Sequence, residues 1–537
     1  MKKSVCILVF AIACISAGAQ GVHSTVEVTN DYQSHVADAG KQTMDMLVPD
    51  SLLHFEYKFD YSVFESPYRG AYEFSPYSVK VTPQSAAVKP NRLFLRAGAG
   101  YALQPVLDFV WAPDAGDKCA VSIFNTGRGF YGNYAGKDSS FDHYAFTGYD
   151  ASDTFGAEAR WMLDNAEVKA RATYDFIGAG DKDKLLNSMT HAVHGGVGIA
   201  SVGSVPVAYA VNVRASYLKG TEHPEYDCSE WSAGVDGSVG MGRGAGRIGL
   251  DFLASYYANN GFGTMRTGEE NLSVPHFMLT PRYEFTYGVF NINAGVRLDY
   301  AGKFGIAPDV RANVGLFGDD LNAYAGVTGG RTVTDYFSLK QNYHRARMTD
   351  AVPGITSELF HVYAGFDGHY GSPFRYALRL GWRKFDNAPL ETLYGYTMAS
   401  FARVYAKVNL SWVDERVEAD ANVGFSSIVR NASEGIFFYR DPAVTGNASF
   451  TYNWNKRIYA GIWGEGRTSR ESTCPDGSEF KDELPGYFNL GVRVELKPTY
   501  KWGVWAEAGN LLGMEMWHNP VCAQKGRIFT AGITLTL

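Results

Sequence analysis

Beyond its first 20 or so residues the chain contains no apolar run near the roughly 18 residues that a membrane-crossing helix requires, so that part carries no helical span. Cysteine is scarce, with 6 in 537 residues, and none are spaced Cys-x-x-Cys. His-Glu-x-x-His and Gly-x-Ser-x-Gly are also missing. These gaps remove the common signatures of structural zinc, zinc peptidases and serine hydrolases. The net charge of -7 carries no basic excess, which argues against a nucleic-acid partner. No catalytic, cofactor or metal chemistry is therefore expected.

What the chain does have is glycine, 59 residues, and aromatics, 14% of the total. Tyr, Phe and Gly in this excess, without long helical periodicity, point to many strands. The last stretch, RIFTAGITLTL at 527–537, has Phe529, Ala531, Ile533, Leu535 and Leu537 on one face. Ile528, Thr530, Gly532, Thr534 and Thr536 fall on the other, by the two-residue period of a strand. A strand ending flush with the C-terminus must be paired or it is a sticky edge. Closing a barrel against the first strand pairs it.

The opening MKKSVCILVFAIACISAGAQ has a basic start at Lys2 and Lys3, an apolar core Val5–Ile15, and small residues Ala17-Gly18-Ala19. That pattern predicts a cleaved signal peptide over 1–19 and hence export. An exported protein without a helical span can cross a membrane only as a closed barrel.

Residues 20–91 differ from the remainder of the chain. Phe55, Tyr57, Phe59 and Tyr61 alternate with Glu56, Lys58, Asp60 and Ser62, and Pro49, Pro67, Pro76, Pro83 and Pro90 interrupt the region. It reads as an extended N-terminal segment, too short for a core of its own and too aromatic for a solvated linker. The four aromatics are candidates for occluding a lumen.

From Arg92 onward, alternating segments of about 9–13 residues succeed one another, a length suited to tilted membrane strands. Val168, Ala170, Ala172, Tyr174 and Phe176 oppose Lys169, Arg171, Thr173 and Asp175. Phe488, Leu490, Val492, Val494 and Leu496 oppose Asn489, Gly491, Arg493 and Glu495. Tight turns at Asp164-Asn165, Gly203-Ser204, Gly244-Ala245, Gly371-Ser372 and Asn455-Lys456 alternate with long polar loops. Those loops are expected at 178–188, 218–230, 258–272, 334–357, 429–441, 470–486 and 511–526. Trp161, Tyr287, Tyr370, Trp412, Trp454, Tyr500 and Trp502 lie towards strand ends, where an interfacial girdle belongs. Short turns on one rim and long loops on the other describe an all-β transmembrane antiparallel barrel over 92–537 in the outer membrane of a Gram-negative cell. The segments amount to about 22 strands, an even number that puts both barrel ends on the short-turn, periplasmic rim.

GNLLG at 509–513 and KGRIFTAGITLTL at 525–537 resemble the end of TonB-dependent receptor barrels, with Asn510, Leu511, Gly526, Arg527, Phe529 and Gly532 at matching positions. The family usually ends on an aromatic, where this chain has Leu537. The family also carries a globular plug before the barrel, and 20–91 is too short for one. The chain is similar to plug-less relatives of those receptors. Ser24 to Thr29 resembles a TonB box at Thr25, Val26 and Val28. The resemblance implies passage or uptake of a solute, with outer-membrane lipid and lipopolysaccharide around the barrel. It implies the barrel-assembly machinery during biogenesis, and TonB or another periplasmic protein as partner. The alternative is a non-transporting scaffold or assembly partner that docks a periplasmic protein through residues 20–91.

A barrel of this size is too wide to stand open, so the extension, inward-folded loops or a partner must occlude it. His191 and His194 should face opposite sides of one strand, which argues against a shared metal. Cys474 and Cys522, both in long loops near the C-terminus, form the candidate disulfide, with Cys119 and Cys228 expected on opposite rims. Four unpaired thiols are the other arrangement.

Overall fold

A computed structural model describes residues 92–537, apart from 139, 183–186, 204, 224–225, 265–267, 270, 318–319, 348–352, 432–436 and 474–481. They form a closed antiparallel barrel of 22 strands, running from Leu93–Tyr101 to Ile528–Thr536. The terminal stretch closes it as its alternation predicts. The last strand pairs with the first from Phe94↔Thr536 to Tyr101↔Phe529. Arg92 N and Leu93 N both donate to Leu537 O, at 2.5 and 2.9 Å, so residue 92 and the C-terminus share a rim.

A closed barrel sends alternate side chains to lipid and lumen. Phe529 and Ile533 are 50% and 53% exposed, while Thr530 and Thr534 are 6% and 4% exposed. The greasy face is therefore outside and the hydroxyl face inside. On the strand Ala166–Asp181, Tyr174 is exposed, while Asp175 and Ile177 are buried on the luminal side. His191 lies exposed on the outer face of Asn187–Ser201, beside Tyr174, while His194 faces inward against Phe337. The two histidines diverge as expected.

The tight turns lie on one rim. Asn455 and Lys456 both have positive φ, 51° and 58°, the pair of left-handed residues that a type I′ hairpin demands. The seven aromatics expected as a girdle are all exposed, Tyr370 and Tyr500 at 80% and 76%, and line that same rim.

Two expectations are corrected. The strands Cys119–Lys137 and His143–Met162 have 19 and 20 residues, beyond the expected length. The loops shrink to match: 178–188 becomes 182–186, and 218–230 becomes 224–225. Cys228, expected in a loop, therefore lies in the strand Tyr226–Arg243. Hydrophobic alternation marks only the lipid-embedded part of a strand. Above it the ladder continues in water, held by backbone bonds that leave no apolar signature. The first hairpin is the opposite case, with strands of only 9 and 6 residues. There Cys522–Gln524, from the last long loop, pairs with Tyr134–Gly136 and extends the wall.

Candidate functional site

The best-packed part of the barrel lies inside its long-loop mouth. The segment after Thr334 turns inward as a strap, Asp335–Arg347, built on a short helix, Tyr336–Asn342. Asp335 caps the helix by accepting from Ser338 N at 2.9 Å. Tyr336, Phe337, Leu339 and Lys340, four of the helix's seven residues, are buried.

Polar anchors fix the strap to distant strands. Glu230, on the luminal face of Tyr226–Arg243, accepts from Tyr336 N at 2.9 Å and Phe337 N at 3.0 Å, and from Tyr257 Oη at 2.7 Å. The carboxylate satisfies two of the helix's first amides, which have no partner within the helix. Lys340 Nζ donates to Ser188 Oγ and to Ala346 O, each at 2.7 Å. Burial pushes its ammonium down to about 8. His344 Nδ1 lies 2.6 Å from Asp150 Oδ1, and Arg345 donates to Tyr149 O at 2.8 Å. The Arg345 guanidinium also lies 4.5 Å from the Tyr134 ring centre, a cation–π contact. Tyr343 Oη donates to Leu393 O at 2.5 Å, and Arg347 stacks 3.9 Å from the Tyr394 ring centre. A segment leaving the wall at Thr334 can reach Tyr134, Ser188, Glu230 and Leu393 together only by crossing the lumen.

The last long loop completes the closure. Asn510, fully buried with φ of 47°, donates to Met514 O at 2.8 Å and Gly526 O at 2.9 Å, and accepts from Met514 N at 3.0 Å. It clamps both ends of the loop 510–527, which explains its place in the C-terminal motif. Met516, Val521 and Cys522 then pack in one apolar cluster with Tyr336, Leu339 and Tyr343 of the strap and with Phe130, Ile177 and Leu218 of the wall. Beside it, Lys137 Nζ donates to Asp482 at 2.7 and 2.9 Å, and Arg470 meets Glu391 at 2.8 Å. These buried pairs hold the neighbouring loops to the wall, and breaking one by removing a partner is costly.

Thr25, Val26, Val28, Phe55, Tyr57, Phe59, Tyr61 and Cys474 lie outside the described residues. Cys522 is buried, with Sγ 3.7 Å from Asn519 Oδ1. No group of three or more potential metal ligands occurs among the described residues. Glu230, Lys340, Arg345 and Asn510 carry the closure, and of these only Asn510 stood out in the sequence. The one local clue to the strap was Asp335 three residues before Ser338, opening the apolar Tyr336, Phe337 and Leu339 inside a loop.

No family model matches the sequence, and no curated protein matches it. Solved structures do resemble it in fold. The FrpB iron transporter of Neisseria meningitidis has 11% sequence identity and a TM-score of 0.62, covering 84% of this chain and 82% of its own. The ferric enterobactin receptor PfeA of Pseudomonas aeruginosa has 9% identity and a TM-score of 0.61, covering 83% and 80%. The siderophore receptor PirA of Acinetobacter baumannii gives 9% identity, 0.61, and the same coverage. The chain thus shares the barrel fold of these receptors and of the iron transporter.

Proposed function

We propose that this barrel passes or takes up a solute across the outer membrane and that the strap Asp335–Arg347 is its outer gate. The observation behind this reading is how the strap is held. The wall is one continuous ladder, but the strap is bound by side-chain anchors, an apolar cluster and one backbone bond, Arg347 N to Tyr394 O at 2.7 Å. Such anchors exchange for water at small net cost when the strap lifts, whereas no ladder bond of the wall has to break. Residues 50–85, with Phe55, Tyr57, Phe59 and Tyr61, block or cap the barrel from the periplasmic side. Thr25, Val26 and Val28 contact TonB or another periplasmic protein.

Planar-bilayer conductance tests this with four proteins: wild type, Glu230→Ala, a deletion of 50–85, and the two changes combined. The combined variant should give a large steady conductance, exceeding either single change. If it stays closed while still showing heat-modifiable gel mobility, passage is refuted. The chain is then a scaffold that docks a periplasmic protein through 20–91.

A further inference from the structure

The strap Asp335–Arg347 and the loop 510–527 share one apolar cluster, to which Tyr487 also belongs. Around Tyr487 titratable side chains gather from separate segments. His344 comes from the strap and His518 from the loop. Asp150 comes from the strand His143–Met162, and Glu465 and Arg467 from Ile458–Arg467. Tyr487 itself opens the strand Tyr487–Leu496. Trp517 and Val521, on either side of His518, are 1% and 4% exposed. His518 therefore rides on the part of the loop that docks.

Its surroundings favour the neutral ring. His518 Nδ1 lies 2.8 Å from Tyr487 Oη, the two rings meeting edge to face with centres 5.2 Å apart. Tyr487 Oη donates in turn to Glu465 Oε1 at 3.4 Å. Arg467 donates to His518 O at 3.1 Å, and its guanidinium covers the Tyr487 ring at 5.1 Å. The nearer cation is thus bonded to His518 itself, whereas the Glu465 carboxylate stands beyond the phenol.

Other charges act on the ring from the wall and from the strap. Asp150, which His344 meets at 2.6 Å, favours a proton on His518, and His344 opposes one. Arg345, beside His344 in the strap, donates to Tyr149 O next to Asp150. In the loop itself Glu515 and Lys525 pair with each other at 2.8 Å. Arg467 and His344 therefore stand against Glu465 and Asp150, two of each kind, and enclosure decides. It pushes the imidazole below its ordinary 6.5, and Arg467 adds to the shift. The docked loop holds fewer protons than the released one, so docking weakens as pH falls through 6.5. His518 is only half-buried, which leaves it within reach of protons from outside the cell.

We propose that His518 makes closure of the mouth acid-sensitive, its protonation releasing the loop 510–527 and with it the strap. A charged imidazole in the docked loop is held against Arg467 and the strap's His344, whereas in the released loop it is solvated. Once the loop leaves, Tyr336, Leu339 and Tyr343 of the strap lose Met516, Val521 and Cys522 from their shared cluster. An imidazole changes charge between about pH 5 and 8, so the device responds to mild acid. The proposal rests on the gate reading, since it names what opens the gate, but release is measured without passage.

The experiment compares Cys228, 3% exposed within the cluster, with Cys119, partly exposed on the short-turn rim. Full-length protein in non-ionic detergent is treated with a dipyridyl disulfide, which modifies thiols in acid as well as at neutral pH. Peptide mass spectrometry then gives the Cys228-to-Cys119 labelling ratio, which corrects for the effect of pH on the reagent. Lowering the pH from about 7.5 to about 5.5 should raise this ratio severalfold in wild type, with a ceiling of about elevenfold for one imidazole freed at 6.5. His518→Gln, whose amide can still bond Tyr487, should give a low ratio at both pH values. His191→Gln, on the outer face, should keep the wild-type rise. Heat-modifiable mobility verifies that every barrel is folded at both pH values. A flat wild-type ratio, or a rise that persists in His518→Gln, overturns the switch. A ratio already high at neutral pH in His518→Gln marks the residue as a structural contact and overturns it equally. A barrel that releases its strap in acid but never conducts keeps the switch and refutes passage alone.

Discussion

Replacing Glu230 with alanine should release the strap without unfolding the barrel. The substitution removes an acceptor from Tyr336 N, Phe337 N and Tyr257 Oη, all within 3.0 Å. Orphaning a buried donor costs about 1–3 kcal/mol, so three would cost several kcal/mol if the strap stayed in place. It need not stay, because lifting it returns the amides to water. The penalty then appears as easier opening, by about 3 kcal/mol, or roughly a hundredfold in the open population. Cys228 reports on this directly. It lies on the luminal face two residues before Glu230, is 3% exposed, and belongs to the apolar cluster that includes Tyr336. Maleimide labelling of Cys228, read by peptide mass spectrometry, should be far faster in Glu230→Ala than in wild type. Glu230→Gln, which keeps one acceptor oxygen, should fall between them. Equal labelling rates in wild type and a folded Glu230→Ala would refute the role given to this carboxylate.

Val408→Arg or Val492→Arg, facing lipid, should impair assembly by roughly 2–4 kcal/mol, whereas Asn409→Ala or Arg493→Ala in the lumen should be tolerated. Identical heat-modifiable gel mobility for the two sets would show that the face assignment is wrong. Burial lowers Lys340 from 10.5 to about 8, so the released strap binds more protons than the docked one between those values. Docking should therefore tighten as pH rises from 8 to 10.5, seen as rarer conductance bursts, and Lys340→Met should abolish the trend; a flat wild-type profile counts against it. A Cys474–Cys522 disulfide should appear in non-reducing peptide maps, and finding both thiols alkylated excludes it.

The barrel could be read from the sequence because its signal is local. The alternation of Phe529, Ile533 and Leu535 against Thr530 and Thr534, like that of Val492 and Val494 against Arg493 and Glu495, depends only on a two-residue period and on lipid outside. The turn at Asn455-Lys456 was equally visible, since positive φ at both positions comes with the type I′ geometry. Strand ends were misjudged where that signal stops, above the bilayer, as at Cys228. The anchoring of the strap could not be read from the sequence, although Asp335 marks the start of its helix. Glu230 meets Tyr336 across 106 residues of chain and Arg345 meets Tyr149 across 196. No local pattern marks a carboxylate that will face an incoming helix, because only closure of the barrel brings the two together. Composition and periodicity determined that the chain is a barrel and which face of each strand is wet. Tertiary structure decided which segment crosses its lumen and what holds it there, because both depend on contacts between residues far apart in sequence.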